Sequence, residues 1–331
     1  MSYTPPFTIT PKILNLVSLI SENIGKLEVL APTSITPRLR KENKIKTITG
    51  TLAIEGNTLG IEKVTAILEG KRVMGSVREI AEVNGAIKVY DYLPDFDYTN
   101  IDDLLKAHTM LMEEILKNAG TYRTKNVGVG SEDGVVHVAP PHNQVANLMQ
   151  QLFSWLKQSD IHPLIKSSIF HYEFEFIHPF IDGNGRIGRL WQSLILYEWK
   201  AIFSAIPIES VVKETQQDYY DALENSGNMG ESTPFIEFML EAILKACENE
   251  INNQNNVPLS VPKNVPLKRL EKIFDLINDD NNITIDQLAD ICKVSDKTVK
   301  RDISKLKEQS LLVREGSLKT GTWKVIKENL K

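Results

Sequence analysis

Apolar residues recur along most of this chain with helical spacing, and two runs stand out. Leu164, Ile165, Ile169, Phe170 and Phe174 predict a helix over 163–176. Leu190, Trp191, Leu194, Ile195 and Tyr197 predict a second, buried helix over 187–199. Upstream, Thr51-Leu-Ala-Ile-Glu55-Gly56 reads as a helix that ends at Glu55 with Gly56 at its cap. Strand signals are few. Val135, Val136 and Val138, between Gly134 and Pro140-Pro141, predict a short hairpin with an open edge within 128–141. His108 and His171 fall inside apolar helical runs and read as core residues. The fold expected is mainly α, with small β elements.

The pattern changes near the end of the chain. Asn252-Asn-Gln-Asn-Asn256, followed by Pro258, Pro262 and Pro266, reads as a linker over 252–266. Beyond it come three predicted helices, at 267–277, at 284–289 with a cap near Thr284, and at 294–306. A strand pair follows, 311–314 with 322–326. This order resembles a winged helix-turn-helix, with Thr298, Lys300 and Arg301 on the would-be recognition helix. At the other end, Pro5, Pro6, Pro11, Pro32 and Pro37 predict a partly extended leader over 1–40. The expected organisation is an N-terminal helical region at 1–100, a helical core at 101–251, the linker, and a C-terminal module at 267–331.

Composition narrows the class. A chain of 331 residues is long enough for two or three domains, and 42% apolar content is ordinary for a soluble globular protein. The best apolar run, 13–20, is far too short to cross a bilayer, and no secretory n-region is present. Cys247 and Cys292, the two cysteines, lie far apart, which fits a reduced cytoplasm. The net charge of −5 is uneven. From Val257 onward 15 Lys and Arg stand against 11 Asp and Glu, so the tail is about +4 and the rest about −9. A basic tail leaves DNA open as a partner, but Asp296 and Asp302, interleaved with the basic residues, weigh against it. Protein contact is the other reading of that module. His137 and His142 read as surface residues, and no spacing of histidines and cysteines forms a metal-site pattern.

The chemistry concentrates between the two strongest helices, in His178-Pro-Phe180-Ile-Asp182-Gly183-Asn184-Gly185-Arg186-Ile187-Gly188-Arg189. Gly183-Asn184-Gly185 sits in a turn that opens a helix, where free N–H groups and the positive end of the dipole favour an anion. Arg186 and Arg189, three apart, share a helix face and can reach one polyphosphate. Asp182 is a hard oxygen ligand suited to the Mg²⁺ of a bound nucleotide. His178 supplies a group that titrates near neutrality. Each feature has an ordinary alternative: a His-Pro turn, a Gly-Asn-Gly tight turn, a solvated arginine face. No single structural need calls for all five together.

This string resembles the signature of the Fic family, His-x-Phe-x-Asp/Glu-Gly-Asn-Gly-Arg-x-x-Arg, and matches every fixed position. The resemblance implies a helical core with a β flap and the transfer of AMP from ATP to a hydroxyl of a target protein. By that resemblance His178 is the general base, Phe180 a buried anchor and Asp182 the Mg²⁺ ligand. Gly183, Asn184, Gly185, Arg186, Ile187, Gly188 and Arg189 form the phosphate site. Doc-like kinases of a related branch carry Lys where this chain has Gly185, so Gly185 points to nucleotidyl rather than phosphoryl transfer. Gly120-Thr-Tyr122-Arg123 resembles the stretch leading into the family's flap, here 128–141, whose edge would dock a target segment carrying a Ser, Thr or Tyr hydroxyl. Tyr220 and Asn228 resemble residues that pack on the adenine and ribose; Tyr219 reads more readily as core.

Thr51-Leu-Ala-Ile-Glu55-Gly56-Asn57 resembles the inhibitory motif Ser/Thr-x-x-x-Glu-Gly/Asn of regulated Fic proteins. The resemblance implies that Glu55 pairs with Arg189 and takes the place of the γ-phosphate. An acid at a helix C-terminus is unfavourable with the dipole, so such a partner would rationalise it. The expected activity is therefore an autoinhibited protein adenylyltransferase. Two alternatives remain: removal of AMP by the same site, and a nucleotide-sensing, DNA-binding regulator, which would have no need of His178. A homodimer stays open for the class, with no patch in the sequence to mark it.

Overall fold

The two strongest apolar runs become neighbouring, largely buried helices, Pro163–Ile177 and Asn184–Trp199. The computed structural model describes residues 3–34, 37–131 and 134–255. Within 272–325 it describes 272–274, 276–278, 280–281, 283–292, 294–308, 312–315 and 322–325. The chain divides into two compact units, Met1–Asn255 and Asn256–Lys331. Among the described residues no helix is long and apolar enough to cross a membrane.

In the first unit α1 (Pro11–Ser34), α2 (Pro37–Ile54), α3 (Ile61–Leu68), α4 (Val77–Tyr92) and α5 (Ile101–Met112) precede a hairpin. Its strands, β1 (Gly128–Ser131) and β2 (Gly134–Val138), are antiparallel, with Gly128 opposite Val138 and an irregular register between Val129 and Gly130. Then follow α6 (Val145–Gln158), α7 (Pro163–Ile177), α8 (Asn184–Trp199), α9 (Ile208–Glu214), α10 (Gln216–Met229) and α11 (Thr233–Asn255). Every residue of α7 from Leu164 to Phe174 is buried, and Trp191, Phe170, Phe174, Phe180 and Phe235 are fully enclosed. Each large apolar side chain removed from water in this way contributes about 1.5–3 kcal/mol.

Two glycines set how closely the helices approach. A Cβ at Gly50 of α2 would lie 2.8 Å from the backbone of Glu209 in α9. One at Gly85 of α4 would lie 2.2 Å from the carbonyl oxygen of Leu111 in α5. Helix α2, which carries Thr51 near its end, is thereby pressed into the core. Helix α4 starts at a capping box: Ser76 Oγ accepts the Glu79 N–H at 3.1 Å, and Glu79 reaches back to the Ser76 N–H.

The N-terminal region differs from the expected leader. Only residues 3–10 are extended; Pro11 and Pro37 are the first residues of α1 and α2. A first-turn proline lacks only an N–H that has no helical partner anyway, so these prolines start helices rather than prevent them. The extended strap is pinned to the core. Ser232 N–H donates to Pro6 O at 2.9 Å, Thr8 N–H to Thr233 Oγ1 at 2.8 Å, and Tyr3 Oη to Glu173 Oε2 at 2.5 Å. Helix α11 also runs to Asn255, into the stretch read as linker; 256–266 lie outside the described residues.

In the second unit residues 272–274 and 276–278 are helical, followed by α12 (Ile285–Cys292), α13 (Asp296–Glu308), β3 (Leu312–Glu315) and β4 (Thr322–Val325). The start of the helix expected at 267 lies outside the described residues. Thr284 caps α12 as expected: Gln287 N–H donates to Thr284 Oγ1 at 3.2 Å, and Thr284 N–H to Gln287 Oε1 at 2.8 Å. Helix α13 begins at Asp296, two positions later than the periodicity suggested, because Ser295 caps it by accepting the Thr298 N–H at 3.4 Å. The strands are antiparallel, Leu312 opposite Val325. Asp302, counted among the surface charges along the sequence, is fully buried.

Candidate active site

The loop from α7 to α8 holds its shape through unusual backbone angles and buried polar contacts. His178 closes α7 at φ +48°, the one non-glycine positive φ among the described residues, and Gly183 caps α8 at φ +86°. Phe180 is fully buried and stacks on His108 with ring centroids 3.7 Å apart. His108 Nδ1 accepts the Gly120 N–H at 2.7 Å, so its Nε2–H donates to Asp182 O at 3.0 Å. Burial, the main cause, lowers this imidazole to about 4 and keeps it neutral. Asn184 brackets the turn: Phe180 N–H donates to its Oδ1 and its Nδ2 donates to Phe180 O, both at 2.9 Å. Buried Arg123 donates to His178 O at 2.8 Å and to Pro140 O, tying the loop to the base of the hairpin.

The opening turn of α8 has the features of an anion-binding turn. Its N–H groups lack helical partners and carry the positive end of the dipole. Arg186 is almost fully buried. Its Nη2 lies 2.8 Å from Asp182 Oδ1, and its Nη1 lies 3.4 Å from Glu82 Oε1. Yet its Nε and Nη1 have no hydrogen-bond acceptor among the described residues. Buried donors without acceptors are costly, and these two are unfilled here. Asp182 also accepts the Gly183 N–H at 2.6 Å and pairs with Arg78 of α4 at 2.8 Å.

A second arginine of this helix is occupied. Helix α2 ends in a Schellman turn: Asn57 N–H bonds Leu52 O, Gly56 N–H bonds Ala53 O, and Gly56 sits at φ +85°. That turn presents Glu55 towards α8. Arg189 Nη2 donates to Glu55 Oε1 at 2.6 Å and to Thr51 O at 3.2 Å, and its Nε donates to Thr51 Oγ1 at 2.9 Å. Burial opposes the charge on Arg189, but the field and hydrogen bond of Glu55 outweigh it and raise the guanidinium above its ordinary value. A Cβ on Gly185 would lie 2.4 Å from Glu55 Oε1. The Glu55 carboxylate thus sits directly against Gly185 in the opening turn of α8.

Some residues take other parts than the sequence suggested. Ile187 is fully buried and gives its N–H to Gly183 O at 3.0 Å, so it has no group left for a ligand. Gly188 faces the core, where a Cβ would meet His171 at 2.8 Å and Glu175 Oε1 at 3.1 Å. The Asn184 side chain is taken up by Phe180, leaving only its backbone N–H for an anion. These three shape the helix and the turn. Tyr220 is partly exposed beside the end of α2, with its Oη 3.0 Å from Gln216 Nε2 and 3.4 Å from Ile54 O. Asn228 is exposed two turns further along α10. Tyr219 is buried and donates to His171 Nε2 at 3.2 Å, which makes it core, as does His171, lowered to about 3 by burial. His142 is exposed; the side chain of His137 lies outside the described residues.

Arg78, Glu82 and Glu175 join the site without having been read from the sequence. Arg78 and Glu82 form an i,i+4 ion pair on α4 at 3.2 Å, a legible spacing. Their reach to Asp182 and Arg186 is tertiary. Among the described residues no group of three or more His, Cys, Asp or Glu is placed to hold a metal, which leaves Asp182 as the single carboxylate in the phosphate turn.

A sequence model of the Fic/DOC family matches residues 98–196, and one of the DeoR-like helix-turn-helix domain matches 269–316. The chain is 40% identical to a solved Fic family protein from Desulfovibrio desulfuricans, with a TM-score of 0.77 over 98% of each chain. It is similar to solved Fic-1 from Caenorhabditis elegans at 25% identity and a TM-score of 0.60, covering 75% of this chain and 73% of that one. It is 28% identical to the protein named protein adenylyltransferase Fic of Drosophila willistoni over 258 residues, 75% of this chain and 49% of that protein. The chain spans about half the length of the curated relatives it matches.

Proposed function

The chain belongs to the Fic/DOC family, and from that premise we propose that it is an ATP-dependent protein adenylyltransferase held in check by Glu55. The site supports a direct transfer. His178 takes the proton of a Ser, Thr or Tyr hydroxyl on the target, and the oxygen forms a bond to the α-phosphorus of ATP. The bond from that phosphorus to the β-phosphate bridging oxygen breaks, and pyrophosphate leaves. Such reactions depend mostly on positioning and on stabilising charge. The first N–H groups of α8 and the unfilled donors of Arg186 serve the phosphates. Tyr220, beside the end of α2, offers a ring face for the adenine, and Asn228 is the weaker candidate for the ribose. Mg²⁺ would be held by Asp182, where it neutralises phosphate charge. One carboxylate suits an ion that keeps most of its contacts with phosphate and water. The outer edge of the β1–β2 hairpin offers a target segment main-chain hydrogen bonds. Both cysteines are free, in keeping with a reduced cytoplasm.

One observation carries the autoinhibited reading: Glu55 pairs with Arg189 while lying against Gly185. A γ-phosphate and this carboxylate compete for the same guanidinium. The test is incubation with Mg²⁺, a cell lysate and ATP labelled on the α-phosphate, followed by mapping of the mark. AMP on a protein hydroxyl is the expected result. Transfer of a γ-label instead, or no α-label on any protein, would overturn it. Release of AMP from an already marked target would identify the site as an eraser.

The C-terminal unit supports a separate proposal, that α13 contacts DNA. Lys297, Lys300 and Arg301 are exposed on α13, beside exposed Asp296. Duplex binding that weakens with salt and is further weakened by Lys300→Glu is expected; salt-independent or unchanged binding would argue for a protein partner.

A further inference from the structure

One largely buried acid, Glu175, has no task in the transfer described above. Glu175 stands three residues before His178 on α7, with its side chain 12% exposed. Its Oε2 lies 3.8 Å from His178 Nδ1. Its Oε1 has no hydrogen-bond partner among the described residues. Gly188, whose Cβ would come within 3.1 Å of that oxygen, leaves the space that the carboxyl group occupies. Helix α7 is otherwise buried on nearly every side, and an apolar residue here would avoid the cost of an unfilled acceptor. The groups facing Glu175 account for its presence. They are His178 in the loop, His171 on its own helix, Arg189 from α8, Glu55 from α2 and Tyr219 from α10.

We infer that Glu175 is a positioning residue for His178: its carboxyl group holds Nδ1 turned inward, so that Nε2 faces the target hydroxyl. The inference rests on His178 being the base of the proposed transfer. A neutral imidazole carries one N–H and one lone pair. An ionised Glu175, 3.8 Å away, favours the proton on Nδ1 by its charge and leaves the Nε2 lone pair free to take the hydroxyl proton. It then also stabilises the imidazolium that results, as a buried carboxylate does in a catalytic triad. A protonated Glu175 withdraws that charge, and a ring that carries its proton on Nε2 can accept nothing there.

The surroundings tune that choice. Burial pushes the Glu175 carboxyl up to about 8, with Arg189 pulling it down and Glu55 pushing it up. Because the carboxyl lies 3.8 Å from Nδ1, a change in its charge bears on which ring nitrogen carries the proton. Removing the negative charge of Glu55 favours the ionised Glu175 and hence the competent ring. Glu55 thus acts on the base as well as on the phosphate site.

The test is the pH titration of the His178 ring nitrogens in the full chain, followed by NMR with ¹⁵N-labelled histidine and assigned through His178→Ala. In the wild type the ring is expected to report two steps, one near pH 8. Glu175→Gln, which keeps the size, is expected to remove that step and lower the remaining one by about one pH unit, the scale of losing a nearby carboxylate. Glu175→Asp is expected to retain two steps. In AMP transfer Glu175→Gln is expected to lower kcat by ~10–10²-fold with KM for ATP unchanged. Superimposable titrations of wild type and Glu175→Gln would overturn the inference. If the wild type transfers no AMP, the adenylyltransferase reading fails, while the titration still decides whether Glu175 and His178 are a pair.

Discussion

Arg78 Nη2 lies 2.8 Å from Asp182 Oδ2, joining α4 to the phosphate turn across 104 positions of sequence. The same carboxylate accepts from Arg186 and from the Gly183 N–H through its other oxygen. On the proposed reading, in which Asp182 holds Mg²⁺, Arg78 and the ion would compete for one ligand. Exposed ion pairs of this kind contribute about 0.2–1 kcal/mol. Arg78→Ala is expected to lower the Mg²⁺ concentration needed for half-maximal ATP binding by up to about fivefold. Calorimetry across a Mg²⁺ series checks it, and a higher requirement in the variant would mean that Arg78 itself holds the nucleotide.

Asp182→Ala is expected to remove the Mg²⁺ dependence of ATP binding, because the turn offers no second carboxylate to a hard cation. Titration calorimetry with and without Mg²⁺ decides it. Full Mg²⁺-dependent affinity in the variant would place the metal elsewhere.

His178→Ala is expected to lower AMP transfer by ~10²–10⁴-fold, the usual range for a lost general base. ATP affinity should hardly change, since the imidazole acts on the hydroxyl and not on the triphosphate. Equal incorporation of label by the wild type and the variant would remove His178 from the mechanism.

His108 and His171 link stability to pH. Burial lowers them from 6.5 to about 4 and about 3 respectively. Below pH 6.5 the unfolded chain binds more protons than the folded one. Their contribution is therefore complete above 6.5 and is lost as the pH falls through the folded values. For His108 the loss is on the order of 3 kcal/mol once the pH reaches 4. The melting temperature of the wild type should fall more steeply between pH 6.5 and 4 than that of His108→Gln. Parallel curves would show that the imidazole is not held neutral.

What the sequence made legible was local. The helices on either side of the phosphate turn follow from Leu164, Phe170, Leu190 and Trp191 recurring at helical spacing. The caps at Gly56 and Thr284 carry their own chemistry, and the hairpin follows from three valines between a glycine and two prolines. Helix starts hidden by proline were misread, since Pro11 and Pro37 occupy the first turn, where proline is harmless. Pattern also could not tell which residues of the motif face inward. Ile187 and Gly188 look the same in the string as Gly185, but lie on the core side of α8. Arg78 and Glu175 reach the site through packing of α4 and α7, and no spacing announces that. Asp302, counted as a surface charge, is buried by the fold.

Glu55 and Arg189 carry the central claim, and substitution at Glu55 tests it most directly. Arg189 is buried, so removing its partner leaves an unbalanced charge, and the melting temperature of Glu55→Gly should fall. The rate should move the other way. With the guanidinium free to meet a γ-phosphate, AMP transfer and self-modification should rise by about 5–150-fold, a coupling of roughly 1–3 kcal/mol. The measurement is the initial rate of α-label incorporation by wild type and Glu55→Gly at equal ATP and Mg²⁺, with thermal unfolding as the control for folding. A rise in rate alongside the fall in melting temperature is the predicted result. An unchanged or lower rate in a folded variant would contradict it, and Glu55 would be the ordinary end of a helix.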